Sequence, residues 1–119
     1  MILNLYTEEY FNAAHKIDGY KGECANVHGH TWKVGVWVKG KKEHLSSGGI
    51  LWDFNNLKKI KAELDHTFLN NVVNCNPTAE NIVLYIYEKL KSTYSKLEFK
   101  VRVYENFHVK KSYAETGDF

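Results

Sequence analysis

Over residues 30–40 the chain alternates between apolar and polar positions. Trp32, Val34, Val36 and Val38 recur every second residue, with Lys33, Gly35, Trp37 and Lys39 between them. A period of two sends successive side chains to opposite faces, so this stretch is predicted to be a strand. Residues 97–106 repeat the pattern, setting Phe99, Val101 and Val103 against Lys100, Arg102 and Tyr104. Residues 2–15 mix apolar and polar positions in a way that suits a strand, and residues 108–115 are expected to add another. The period changes in DFNNLKKIKAELDH, residues 53–66. Leu57, Ile60 and Leu64 fall at helical spacing and leave Lys58, Lys59, Lys61 and Glu63 for solvent. A second helix is predicted in NPTAENIVLYIYEKLKS. There Pro77 and Thr78 precede the apolar positions Ile82, Val83, Ile86 and Leu90. Residues 18–27 read as a loop and SSGG, residues 46–49, as a turn.

The order β-β-α-α-β-β keeps strands and helices in separate runs. It points to an α+β fold, a four-stranded antiparallel sheet with both helices on one face. Such a sheet leaves its edge strands unpaired, and association between copies is one way to cover them, so an oligomer is expected.

Composition narrows the function classes. A chain of 119 residues, 44% hydrophobic and 14% aromatic, has enough apolar material for one folded domain over residues 1–119. The net charge is only +2, and the 16 Lys and Arg are scattered, which argues against nucleic acid as the main partner. The opening MILNLYTEEYF lacks the basic and apolar regions of a secretory signal. No apolar run approaches the roughly 20 residues that span a bilayer, so no membrane partner and a cytoplasmic location are expected. Two cysteines, Cys24 and Cys75, fit a reducing compartment better than a disulfide scaffold.

The chemistry concentrates in CANVHGH, residues 24–30. On a strand His28 and His30 project from the same face, half of a zinc site. His15 ends the preceding strand in FNAAH and would join them if the two strands pair. Three histidines with one open position make a catalytic zinc centre. The alternatives are histidines satisfied within the core, or a closed structural site with Cys24 as fourth ligand. Against the latter, no second cysteine lies nearby. A cysteine spared from ligation beside a cation gains thiolate character and can serve as base or nucleophile.

Five motifs, FNAAH, CANVHGH, LDHTFLN, NPTAEN and VRVYEN, stand in this order along nearly the whole chain. In order and spacing the sequence resembles the 6-pyruvoyl-tetrahydropterin synthase/6-carboxy-tetrahydropterin synthase family. That resemblance implies the tunnelling fold, ββααββ, whose sheets join between subunits into a barrel, commonly a homohexamer built as a dimer of trimers. It also implies Zn2+ held by His15, His28 and His30. Cys24 would be the catalytic base and Asp65-His66 a proton-relaying pair. Glu105 would anchor the pterin ring, and Thr78 would be a further pterin contact. The implied substrate is a small-molecule pterin triphosphate, 7,8-dihydroneopterin triphosphate. Its side chain is oxidised as its ring is reduced, and no GxGxxG or P-loop motif calls for another cofactor.

The spacing C-x3-HGH and the short loop before it resemble the branch that forms 6-carboxy-tetrahydropterin for queuosine, rather than the branch that releases 6-pyruvoyl-tetrahydropterin. A third branch, which replaces the cysteine with glutamate, is disfavoured by Cys24. Outside the family, Asp65-His66 reads as a helix-end ion pair and Glu105 as a solvated edge charge. Cys75 reads as inert. Lys16, Lys21 and His44 read by default as surface residues, with a phosphate contact as the alternative, and His108 as either a phosphate contact or solvated. The competing classes are a non-catalytic zinc module and a zinc hydrolase.

Overall fold

A computed structural model describes residues 1–19, 21–22 and 25–119. The elements run β1 (Ile2–His15), β2 (His28–Lys41), α1 (Asn55–Leu64), β3 (Thr67–Phe68), α2 (Ala79–Thr93), β4 (Glu98–Asn106) and β5 (Ser112–Gly117). Single 3-10 turns lie at Lys42–His44 and Leu69–Asn71. β1 and β2 form a long antiparallel hairpin, in register from Ile2 opposite Lys41 to His15 opposite His28. β4 pairs with β2 and β5 with β4, both antiparallel.

The four long strands follow the predicted plan, with one correction. The sheet has five strands in the order β3-β1-β2-β4-β5 and is mixed, because β3 runs parallel to β1 at Ala13–Thr67 and Ala14–Phe68. A two-residue strand is too short to carry a period. It forms because α1 ends at Asp65 in extended backbone and His66 turns the chain with φ +57°. Thr67 and Phe68 are thereby laid along the free edge of β1. β5 begins at Ser112, later than the alternation suggested, and Val109 before it is fully exposed.

One face of the sheet carries the core. Phe11 and Ala13 of β1, Trp32, Val34, Val36 and Val38 of β2, and Phe99, Val101 and Val103 of β4 are all buried. Leu57, Ile60 and Leu64 of α1 and Ile82, Val83, Ile86 and Leu90 of α2 close over them. α1 packs on β1, and α2 on β4 and β5. The opposite face is a layer of cations among aromatic rings. Arg102 stacks 4.3 Å from the Tyr113 ring and 4.8 Å from that of Trp37, and its guanidinium pairs with Glu115 at 2.8 Å. Among the described residues no helix is long and apolar enough to cross a membrane.

Asp118 fastens the chain's end to this framework. Its carboxylate accepts hydrogen bonds from the Tyr87 hydroxyl on α2 and, at 2.9 Å, from the Phe99 N–H on β4, and it pairs with Lys91 at 3.1 Å. Burial alone would raise its pKa; the Tyr87 and Phe99 hydrogen bonds and the Lys91 charge outweigh burial and hold it below the usual value. A carboxyl whose folded pKa is depressed stabilises the fold above its unfolded pKa and loses that contribution as pH falls through the folded one. Asp118→Ala is expected to cost about 1.5–3 kcal/mol at pH 7, the range for hydrogen bonds to a charged group. In urea unfolding, the gap to wild type should shrink as the pH drops below about 4.

Candidate metal centre and catalytic residues

The hairpin register brings three histidines together on the core face, at one end of the sheet. His15 stands directly across from His28, and His30 follows two residues on. Their ring centroids are separated by 4.5 Å (His15–His28), 4.8 Å (His28–His30) and 5.1 Å (His15–His30). His15 is almost wholly buried at 1% exposure. A carbonyl can only accept, so its Nδ1, 2.7 Å from the Pro77 carbonyl, carries the proton. His28 makes the same bond to the Asn26 carbonyl, also at 2.7 Å. In both rings the lone pair is thereby left on Nε2, the arrangement by which outer partners orient metal-binding imidazoles.

Among the described residues, the buried Nε2 atoms of His15 and His30 have no hydrogen-bond partner. Burying an unpaired polar atom is costly, and a cation that takes imidazole nitrogen would satisfy both. Glu105 adds a carboxylate, with Oε1 at 3.3 Å from His30 Nε2 in an alignment too poor for a hydrogen bond. One ligand atom from each of His15, His28, His30 and Glu105 lies within 4.8 Å of all the others. Burial pushes the pKa of His30 down against the opposing pull of Glu105, which favours the neutral imidazole that a metal requires. Imidazole and carboxylate are donors that zinc accepts.

Asp65 and His66 form the pair suggested by the sequence. Asp65 accepts the Asn12 N–H at 2.8 Å and faces His66 Nδ1 at 3.0 Å. The Asn12 hydrogen bond, ahead of the contribution from His66, holds the Asp65 carboxyl below its ordinary pKa. The backbone N–H of His66 returns to the Asn12 carbonyl at 2.6 Å. With Nδ1 turned to the carboxylate, His66 presents Nε2 outward on a largely exposed ring. His66 and His30 both line a shallow depression of about 540 Å³, together with Asn12 and Thr31.

The remaining candidates are distributed as follows. Thr78 is the N-cap of α2, its hydroxyl accepting the Asn81 N–H at 3.1 Å. Cys24 lies outside the described residues. Cys75 is an exposed free thiol. His44 sits at the far end of β2, accepting from the Lys41 N–H at 3.4 Å, and His108 stacks on Phe107 at 4.4 Å. Lys16 pairs with Asp18 at 3.8 Å. Sequence reasoning placed Glu105 at the pterin and missed its position beside the histidines. The signal was present, since Glu105 continues the inward series Val101, Val103 at period two. The Pro77 and Asn26 carbonyls carry no side-chain signal at all.

The family model for 6-pyruvoyl tetrahydropterin synthase matches residues 4–116. The chain belongs to this family. An Archaeoglobus fulgidus relative, 41% identical over 89% of this chain and 89% of its own, is named provisionally a 6-carboxy-5,6,7,8-tetrahydropterin synthase. A Synechocystis relative, 35% identical over 73% of this chain and 74% of its own, carries that name without qualification. A Pyrococcus furiosus relative, 39% identical over 68% of each chain, is named a dihydroneopterin monophosphate aldolase. Among solved structures, the 6-pyruvoyl tetrahydropterin synthase of Caenorhabditis elegans superposes with a TM-score of 0.73 at 26% identity, covering 98% of this chain and 96% of its own. The α+β plan of the family is therefore the plan of this chain.

Replacing His15, His28 or His30 singly by Ala is expected to weaken zinc binding by more than the roughly 10–100-fold that follows loss of an outer-shell partner. Competition with a chromophoric chelator measures this. Three variants with wild-type affinity would remove the site.

Proposed function

We propose that the protein is a zinc-dependent lyase. It converts 7,8-dihydroneopterin triphosphate and water to 6-carboxy-5,6,7,8-tetrahydropterin, acetaldehyde and triphosphate, on the route to queuosine and related deazapurines. The observation that carries this reading is the convergence of His15, His28 and His30, the buried Nε2 atoms of His15 and His30 having no partner among the described residues, in a family of pterin synthases. Relatives named for the 6-carboxy product support the branch.

His15, His28 and His30 would hold the zinc, which would supply Lewis acidity that makes the C–H bonds beside the substrate's side-chain hydroxyls more acidic. Cys24 takes a proton from the side-chain carbon next to the ring, and the electron pair passes into the dihydropterin. The ring is thus reduced as the side chain is oxidised; water then adds to the carbonyl next to the ring, and the bond to the second side-chain carbon breaks, leaving the carboxyl on the ring and releasing the other two carbons as acetaldehyde. Asp65 holds the Nδ1–H of His66, so Nε2 is free to pass a second proton as triphosphate departs. Glu105 accepts two parallel hydrogen bonds from the amino group and ring N–H of the pterin. Its place beside His30 would set the pterin side chain near the histidines. Thr78 is retained as a pterin contact on the donor side of its hydroxyl, since its acceptor side caps α2. The working form is taken to be a cytoplasmic homohexamer, a dimer of trimers.

The Pyrococcus furiosus relative favours a second reading, an aldolase acting on a dihydroneopterin monophosphate. Cys24, the family's catalytic thiol by resemblance, favours the synthase. Anaerobic mass spectrometry of the zinc-loaded protein with each substrate separates the readings. The expected products are 6-carboxy-tetrahydropterin and acetaldehyde from the triphosphate, with turnover falling about 10²–10⁴-fold in Cys24→Ala, the range for loss of an acid-base group. Accumulation of 6-pyruvoyl-tetrahydropterin would assign the pyruvoyl branch, and turnover of the monophosphate alone would assign the aldolase. No turnover, with zinc lost from Cys24→Ala, would make Cys24 a ligand. Glu105→Gln tests the pterin role separately. It should keep zinc and lose pterin affinity, measured by fluorescence titration; loss of zinc instead would make Glu105 a metal ligand.

A further inference from the structure

Two asparagines in the motifs LDHTFLN and NPTAEN have no part in the chemistry above, yet each makes a paired contact beside His15. Asn70 accepts the Lys16 N–H at 3.0 Å and donates to the Lys16 carbonyl at 3.0 Å. Asn76 does the same at Asp18, accepting its N–H at 2.9 Å and donating to its carbonyl at 2.9 Å. A side-chain amide that satisfies both the N–H and the C=O of one residue imitates a neighbouring strand. Asn70 does this where the chain leaves β1, and Asn76 at Asp18, in the turn that follows. The two asparagines thus continue a ladder that starts earlier on β1. His66 bonds to Asn12, Thr67 and Phe68 pair with Ala13 and Ala14, Asn70 grips Lys16, and Asn76 grips Asp18. His15 sits inside this ladder and sends its own Nδ1–H to Pro77, the residue after Asn76. Asn76 is itself anchored, since its carbonyl accepts from the Asn81 side chain at 2.8 Å on the first turn of α2.

We propose that Asn70 and Asn76 are positioning residues of the metal centre: by clamping the backbone on the C-terminal side of His15, they hold its Nε2 toward those of His28 and His30. A backbone free to shift just after His15 would carry the imidazole with it, because the ring's hydrogen bond goes to Pro77, in the same loop as the clamp. This inference rests on the histidines being a zinc site, and zinc binding by the wild-type protein tests that premise on its own.

The test uses the full-length chain with Asn70→Asp and Asn76→Asp, which keep an acceptor for the N–H but lose the donor to the carbonyl. Asn74→Asp is the control, placing the same charge in the same loop on an exposed side chain. Zinc affinity is read by chelator competition and ligand geometry by the d–d absorption of the cobalt-substituted protein. Each clamp variant should bind zinc about 10–100-fold more weakly, as for loss of an outer-shell partner, with altered cobalt bands, while Asn74→Asp matches wild type. Affinities within twofold of the control, with unchanged cobalt spectra in folded protein, would overturn the proposal. Hydrogen exchange in the wild-type chain tests it even if a variant fails to fold. Coupling is reciprocal, so zinc should slow exchange at the Lys16 and Asp18 amides, and unchanged exchange at both would equally overturn the proposal. Failure of wild type to bind zinc would instead remove the premise.

Discussion

The register between β1 and β2, which sets His15 opposite His28, is the constraint on which both the core and the candidate metal centre depend. Side chains alternate along a strand, so shifting one partner by a single residue moves its whole inner set to the outer face. For β1 that set includes Phe11 and Ala13 along with His15, and on β2 Trp32 and Val34 share a face with His28 and His30. Burial of the large aromatic residues therefore selects the same register that gathers the imidazoles. Hydrophobic burial, not attraction between ligands, brings the three rings within about 5 Å of one another.

The polar end of the sheet is held differently. Beyond Phe11 and Trp32 the apolar core gives way to hydrogen bonds that each have a defined acceptor: Asn12 for His66, Asp65 for Asn12, Pro77 for His15 and Asn26 for His28. Two of these acceptors, Asp65 and Pro77, lie in residues 65–77, which run along the outer edge of β1. One irregular segment thus places the Asp65-His66 pair and supports the innermost histidine, and its own end is tied to α2 through Thr78 and Asn81.

The long elements were legible because they repeat. Alternation in β2 and β4 and the spacing of Leu57, Ile60 and Leu64 report burial directly, and the structure buries those residues. The histidines were legible for a related reason: HGH has the period of a strand, and His15 closes the strand before it. β3 was not legible, since two residues have no period and its formation depends on the turn at His66. The supports for the candidate metal centre were hidden more deeply. A carbonyl from Pro77 or Asn26 is available at every residue, so nothing in the sequence distinguishes the ones that are used. Asn70 and Asn76 stood within recognised motifs, but their contacts to Lys16 and Asp18 span 54 and 58 positions.

His66 carries a double demand. Its imidazole faces Asp65 in the pair proposed to transfer a proton, while its backbone sits at φ +57°, a left-handed conformation that most side chains avoid and that His, Asn, Asp and Gly tolerate better. A mutational survey of this position would therefore conflate two losses. An alanine there disturbs the turn that lays β3 beside β1 as well as removing the imidazole, and a β-branched residue does so more severely. Asparagine leaves the turn accessible and takes away only the titrating ring, so it isolates the chemistry. Evolution meets the same filter: the route from histidine to any other functional side chain at this point narrows to the few residues that the backbone itself accepts.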